Sequence, residues 1–346
     1  MSGTILVTGG AGFIGCNLVR LLLAERPELN VINLDLLTYA GRRENLVDLP
    51  HPERHLLVHG DIRDAGLVAS LFDGSHPDLA ARGWEAPTRV AHLAAESHVD
   101  RSITGPEVFV TTNVHGTQIL LEAARRAWDG RNGVRFLHVS TDEVYGSLGP
   151  TGYFTEATPL APNSPYSASK AGSDLMARAY VETFGLPVVI TRCSNNYGPY
   201  QLPEKFIPVV IDRILERQPI PVYGDGGNVR DWLYVMDHAR ALLTALEAGR
   251  DGEVYNIGGH NEWANIDIAG LLCDMVDARA DTDGSRKLIT FVEDRLGHDR
   301  RYAIDPSKTS SELGWKPEHT FETGIAVTVD WYLANREWVR AAKAGL

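Results

Sequence analysis

Cysteine is scarce in this 346-residue chain: Cys16, Cys193 and Cys273 are its only three, widely spaced and without a CxxC pair. That excludes a disulfide framework and a thiolate metal site, no metal is expected, and a reducing cytoplasm fits best. Positive charge is also in short supply. Lys and Arg total 33 against 45 Asp and Glu, a formal net charge of -12, so no bulk positive field exists to release counterions from a nucleic acid. An anionic ligand would have to be received by individual Arg and Lys side chains. Long hydrophobic runs are missing too: no stretch reaches the length of a membrane span, and Met1 to Thr4 lead straight into an apolar strand with no basic leader. Secretion and membrane partners are not expected. Neither an internal repeat nor a low-complexity segment is visible.

What is present is ordinary folding material, 44% hydrophobic and 23% charged, enough for one large α/β domain carrying a smaller one. Short apolar runs at Ile5–Thr8, Val31–Leu34, His55–Val58, Arg89–Leu93, Arg135–Ser140 and Pro187–Thr191 alternate with helical spacing, as over Phe13–Glu25 and Ser167–Phe184. Strands separated by helices of ten or more residues predict a doubly wound parallel sheet covered on both faces. Beyond about Tyr197 the pattern loosens, with turns at Gly198–Tyr200 and Gly224–Gly227 and helices near 205–218 and 235–248. The expected division is 1–196, mainly dinucleotide-binding, and 197–346, a smaller mixed α/β substrate lobe, with some chain crossing back near 230–256. Asp73 to Pro87, holding two Pro and two Gly, reads as an irregular connection.

Polar residues gather after these strands, at the carboxyl ends where open α/β sheets bind ligands. Gly9, Gly12 and Gly15 follow the first strand and open a helix, which allows a tight turn and brings backbone N–H groups near a pyrophosphate. Asp35 closes the next strand twenty residues after Gly15, where a carboxylate can bind a ribose hydroxyl. That favours NAD, while Arg42 and Arg43 keep NADP open. Asp61 and Ile62 follow the third strand, where an Asp either holds the adenine or caps a helix.

Tyr166 and Lys170 form a Tyr-x-x-x-Lys pair one helical turn apart on one face. A neighbouring ammonium is expected to lower the phenol's pKa, so that it can exchange a proton with a sugar hydroxyl. The same spacing also occurs on ordinary helix surfaces. It gains weight from Ser140–Thr141–Asp142–Glu143 after the fifth strand, where Asp142 and Glu143 add an acid and a base that simple alcohol oxidation does not need.

Together, Gly9–Gly10–Ala11–Gly12–Phe13–Ile14–Gly15, Thr141–Asp142–Glu143, Tyr166-x-x-x-Lys170, Asn195–Asn196–Tyr197–Gly198–Pro199, Val229–Arg230–Asp231–Trp232 and the Asp294–Tyr302 run resemble the dTDP-glucose 4,6-dehydratase family. The resemblance spans nearly the whole chain and implies a Rossmann-type fold and tightly held NAD regenerated each turnover. It also implies an oxidation–elimination–reduction cycle on a nucleotide sugar. A UDP- or CDP-glucose dehydratase and a nucleotide-sugar 4-epimerase are the alternatives, and an epimerase would have no use for Asp142 and Glu143. Carried over residue by residue, Thr141, Asp142, Glu143, Tyr166 and Lys170 would be catalytic. Phe13, Ile14, Asp35, Leu36, Thr38, Asp61, Ile62, Leu93, Ala94, Ala95, Ser97, Thr112 and Asn196 would surround NAD with the glycines and the Tyr–Lys pair. Ser97, Thr141, Asn195, Lys205, Phe206, Pro221, Tyr223, Arg230, Asn265, Arg295 and His298 would bind the substrate. Leu296 departs from the family's Pro, a less stiff loop. The family usually dimerises through two helices, here the segments near 107–127 and 167–184.

Overall fold

The computed structural model describes residues 1–294 and 299–345. Its strands are β1 Gly3–Thr8, β2 Leu29–Asp35, β3 His55–His59, β4 Arg89–His92, β5 Arg135–Thr141, β6 Val188–Cys193, β7 Asn195–Tyr197, β8 Ile220–Tyr223, β9 Val229–Tyr234, β10 Val254–Ile257, β11 Glu262–Ala264 and β12 Ile289–Val292. Seven of them form the main sheet in the order β10-β6-β5-β4-β1-β2-β3, and every pairing within it is parallel. The order reverses between β1 and β4, which opens a crevice at the carboxyl ends of the strands.

Both faces of this sheet are covered, which is why its strands are near-continuous apolar runs rather than alternating ones. On one face Leu18 and Leu22 of the Phe13–Glu25 helix meet Leu242 and Leu246 of the Val235–Ala248 helix, all fully or nearly fully buried. On the other, Val68, Leu120, Leu121, Ala177 and Tyr180 pack from the helices Ala65–Phe72, Thr117–Ala127 and Pro165–Phe184. Each large apolar side chain so buried contributes about 1.5–3 kcal/mol. A separate cluster built on Ile207, Ile211, Leu272, Val276, Phe321 and Ile325 fills the remaining lobe, under a three-stranded sheet, β11-β9-β7, and the pair β12-β8. The helix Val235–Ala248 and strand β10 come from beyond residue 197 yet belong to the large sheet.

Three expectations change. Asp73 to Pro87 is not wholly irregular: Pro77–Arg82 is a short helix, with Pro77 in its first turn and Gly83 in the left-handed conformation just past its end, the usual asymmetry of helix termini. The long helix begins at Pro165 rather than Ser167, because Ser164 caps it by accepting from the Ser167 N–H in a reciprocal capping box. Strand β6 also runs two residues beyond Thr191, so Arg192 and Cys193 are sheet residues.

At the first crossover, Gly9 adopts φ +71°, and a Cβ there would lie 2.7 Å from the Ala94 nitrogen. A Cβ on Gly15 would stand 2.1 Å from the Gly9 carbonyl oxygen and 2.7 Å from Gly10 Cα, whereas one on Gly12 meets only that same oxygen, at 3.3 Å. Backbone atoms cannot rotate away, so Gly15→Ala is expected to cost about 1–3 kcal/mol or more and Gly12→Ala distinctly less. Thermal melts of the two variants check this, and equal melting temperatures would sink the account of close helix–strand packing.

Candidate active site

The carboxyl ends of β1 to β6 converge on one cavity of about 470 Å³. Its walls include Gly9, Gly12, Phe13, Ile14 and Gly15 from the first crossover, with Asp35, Leu36 and Thr38 after β2 and Asp61 and Ile62 after β3. Leu93, Ala94, Ala95 and Ser97 follow β4, and Thr112, Tyr166, Lys170 and Asn196 close the inner end. Every residue expected to surround the dinucleotide therefore lines a single space. The glycines that a Cβ would fill form the cradle that a pyrophosphate requires, and the residues present fit a dinucleotide.

Asp35 is held by the N–H groups of Ala11, at 2.9 Å, and Leu37, at 2.8 Å. Burial pushes its carboxyl upward despite these bonds. Asp61 turns out not to be a helix cap: Asp64 caps the Ala65–Phe72 helix, while Asp61 pairs with Arg63 at 2.6 Å. Burial raises Asp61, and Arg63 more than reverses that, leaving it below its ordinary value.

Strand β5 ends in Thr141, and Asp142–Tyr145 then form one 3-10 turn capped by the Thr141 hydroxyl, which accepts from the Glu143 N–H at 3.3 Å. The Thr141 hydroxyl also donates to Asp142 Oδ1 at 3.3 Å. Asp142 is 2% exposed, and its Oδ2 has no hydrogen-bond partner among the described residues. Burial first, then Glu143 and Asp231, drive its pKa far above the carboxylate range, against the pull of Arg230. Burial thus favours the protonated form of Asp142, whose Oδ2 is unpartnered among the described residues, beside the half-buried Glu143.

Tyr166 and Lys170 stand on the inner face of the Pro165–Phe184 helix, both buried. The expected lowering of the phenol is not found. Total burial, Glu143, Cys193 and Asp142 push Tyr166 well above its ordinary value, with only a Thr141 hydrogen bond opposing. Lys170 Nζ donates to the Val139 carbonyl at 2.9 Å instead, and burial lowers its own pKa while Asp174 and Cys193 raise it. Burying an anion beside two carboxyl groups outweighs one cation a turn away.

Of the residues expected around the substrate, Ser97, Thr141, Asn195 and Lys205 line the cavity. Phe206, Pro221, Tyr223, Arg230 and Asn265 do not. Phe206 opens a helix and packs into the C-terminal cluster, Pro221 and Tyr223 lie on β8, and the Asn265 N–H donates to the Asn228 carbonyl. Arg230 is buried, donates to the Asp299 carbonyl at 2.8 Å, and stacks 4.4 Å over the Tyr302 ring. Arg295 and His298, like Leu296, fall outside the described residues. Tyr39, Glu96, Cys193, Gln201 and Glu204 line the cavity beyond the expected set. Asn113 supports that wall: its amide accepts from the Glu96 N–H at 2.8 Å and donates to Ser169 Oγ at 2.8 Å. It sits in a π-helical stretch, Val110–Gly116, whose wide turn breaks the 3.6-residue period by which sequence is read. Among the described residues no group of His, Cys, Asp and Glu could hold a metal ion, and no helix is long and apolar enough to cross a membrane.

Residues 6–328 match the family model described as GDP-mannose 4,6 dehydratase. The dTDP-glucose 4,6-dehydratase 1 of Escherichia coli K12 is 53% identical, over 99% of this chain and 96% of that protein. Among solved structures, the dTDP-glucose 4,6-dehydratase DesIV of Streptomyces venezuelae, with NAD bound, superposes with a TM-score of 0.88 at 50% identity, covering 98% of this chain and 99% of that one. The UDP-glucose 4-epimerase of Thermus thermophilus, a complex with NAD, reaches a TM-score of 0.81 at 32% identity over 96% and 99%.

A carboxyl group whose folded pKa is raised binds its proton more tightly in the native state, so its ionisation erodes stability as pH rises above about 4, the unfolded value. Asp142→Asn keeps the shape without that liability. Its melting temperature should exceed the wild type's by a few degrees at pH 7–8 and converge with it near pH 4; a gap that is absent or grows on acidification would rule out a neutral Asp142.

Proposed function

The chain belongs to the GDP-mannose 4,6 dehydratase family, and within it to the dTDP-glucose 4,6-dehydratases, and from that premise we propose that it converts dTDP-glucose to dTDP-4-keto-6-deoxyglucose and water. The observation that carries this reading is Asp142, a carboxyl group 2% exposed whose Oδ2 has no partner among the described residues and whose burial favours the protonated form, next to Glu143 on the wall that also holds Tyr166 and Lys170. A 4-epimerase, which only oxidises and reduces one carbon, has no task for such a pair.

NAD held in the cavity by the Gly9–Gly15 turn, Asp35 and Asp61 would supply a hydride acceptor at sugar carbon 4 and a hydride donor at carbon 6, with none consumed overall. Tyr166 receives the proton of the 4-hydroxyl, oriented by the Thr141 hydroxyl that bonds it. To accept that proton Tyr166 must first ionise, against burial and the charge of Glu143 that raise it; a neutral Asp142 removes a second repulsive charge, and the Lys170 ammonium one turn away favours the phenolate. The ketone at carbon 4 acidifies carbon 5, whose proton passes to Glu143, while Asp142 protonates the departing 6-hydroxyl as water; once carbon 6 is reduced, carbon 5 takes its proton back from Glu143, and the proton gained by Tyr166 balances the one given up by Asp142. The two carboxyl groups take opposite roles because their environments differ: one is sealed from solvent, the other half-exposed.

In this reading NAD occupies the crevice of the 1–196 part, and the nucleotide lies toward the 197–346 part, where Asn195, Lys205 and Arg230 would receive its charge and base. Arg295 and His298 would complete that site. The protein is proposed to work in the cytoplasm, where its three free thiols stay reduced. It is further proposed to pair as a homodimer through the helices around 107–127 and 165–184, which leave Val110 and Leu175 exposed, 54% and 57% respectively.

Purified protein given dTDP-glucose without added NAD is expected to release a product lighter by one water, with the alkaline absorbance of a 4-keto-6-deoxy sugar. Glu143→Gln should lower kcat by about 10²–10⁴ with little change in KM. If dTDP-, UDP- and CDP-glucose all fail to lose water even with NAD supplied, the dehydratase reading is wrong.

A further inference from the structure

Behind the cavity wall runs a chain of buried charges to which the proposed reaction gives no role. Asp174 lies one turn beyond Lys170 on the same face of its helix and is 1% exposed. Its carboxylate accepts from Arg192 Nε at 2.8 Å and lies 3.2 Å from His138 Nε2. Arg192, on β6, donates through a terminal nitrogen to the Tyr145 hydroxyl at 2.9 Å, with its guanidinium 4.8 Å over that ring. Tyr145 in turn donates to Asn256 Oδ1 on β10 at 2.8 Å.

The two ends of this chain are the elements that carry the reaction. Asp174 shares its helix with Tyr166 and Lys170, and Tyr145 closes the 3-10 turn that begins with Asp142 and Glu143. A buried ion pair is a poor way to gain stability, since apolar residues of equal volume serve as well. What it supplies is fixed geometry, because each partner tolerates few positions for the other.

We propose that Asp174, clamped by Arg192 and His138, is a positioning residue for the oxidation step, holding the Lys170 ammonium and the Asp142–Tyr145 turn in register with each other. The proposal rests on the dehydratase reading. The titratable groups that interact with Lys170 are Asp174 from its own helix, His92 from β4, His138 from β5 and Cys193 from β6, and Tyr166, Asp142 and Glu143 share its cavity wall. Of these, Asp174 is the carboxylate that opposes the lowering of Lys170 by burial. His138, lowered by burial and by Lys170, stays neutral beside it.

Asp174→Asn alone strands the buried Arg192 cation, so the test pairs it with Arg192→Gln, which keeps a polar pair of similar shape without charge. In the holoenzyme with dTDP-glucose, the double variant should melt close to the wild type, yet lose about tenfold or more in kcat with KM within about threefold. The alkaline limb of its kcat profile should move to lower pH, as Lys170 loses its proton sooner. Asp174→Glu, which keeps the charge, should leave that limb in place. A wild-type protein that releases no product overturns the dehydratase reading and this one with it. An active wild type whose double variant matches it in kcat and pH profile overturns this proposal alone and leaves the pair a structural one.

Discussion

Asp142 is sealed from water beside a second carboxyl group, and the rest of the cavity is arranged around that constraint. A carboxylate there would be an anion without hydration, facing Glu143 and Asp231, and the opposing pull of Arg230 does not outweigh burial and those two groups. Burial and those charges therefore favour its protonated form. Once it is neutral, a buried phenol and a buried ammonium can share the same wall, because the field they feel is that of one carboxylate rather than two. In the proposed mechanism the acid–base division between Asp142 and Glu143 would follow from their burial, since the two side chains differ by one methylene.

The same cavity depends on how closely the first helix approaches the sheet. Gly9 and Gly15 bring the helix and the ends of β1 and β4 into contact that a methyl group would prevent. Backbone N–H groups then face the space instead of side chains, which is what an anionic dinucleotide needs in a chain with an overall negative charge. Local positive potential is supplied by dipoles and a few cations, so the net charge of -12 does not oppose the function.

Much of this is legible in the sequence. The alternation of apolar strands and helical segments predicts the parallel sheet within a residue or two at most ends, and the Asp35 position follows from its spacing to Gly15. The misses have identifiable causes. The Pro77–Arg82 helix escapes the pattern because Pro and Gly read as breakers, although here they mark its two ends. Asn113, Glu96 and Glu204 carry no motif, and Asn113 lies on a π-helical turn that no regular period describes. Asp61 is open in sequence between capping and binding, and the structure removes the first, since Asp64 caps that helix while Asp61 pairs with Arg63.

Sequence by itself determined the order of the elements, the glycine turn and the presence of a Tyr–Lys pair and an Asp–Glu pair, because these depend on local spacing and residue type. The tertiary structure decided their ionisation and their company. Lys170 at four residues from Tyr166 suggests a lowered phenol, yet the pKa of each group follows from the low-dielectric surroundings and from groups in the turn after β5, on β6 and on β9 that lie elsewhere in the sequence. The Asp174–Arg192–Tyr145 chain likewise joins a helix, a strand and a turn. Burial and through-space charge are sums over the whole packed chain, and no window of neighbouring residues contains them.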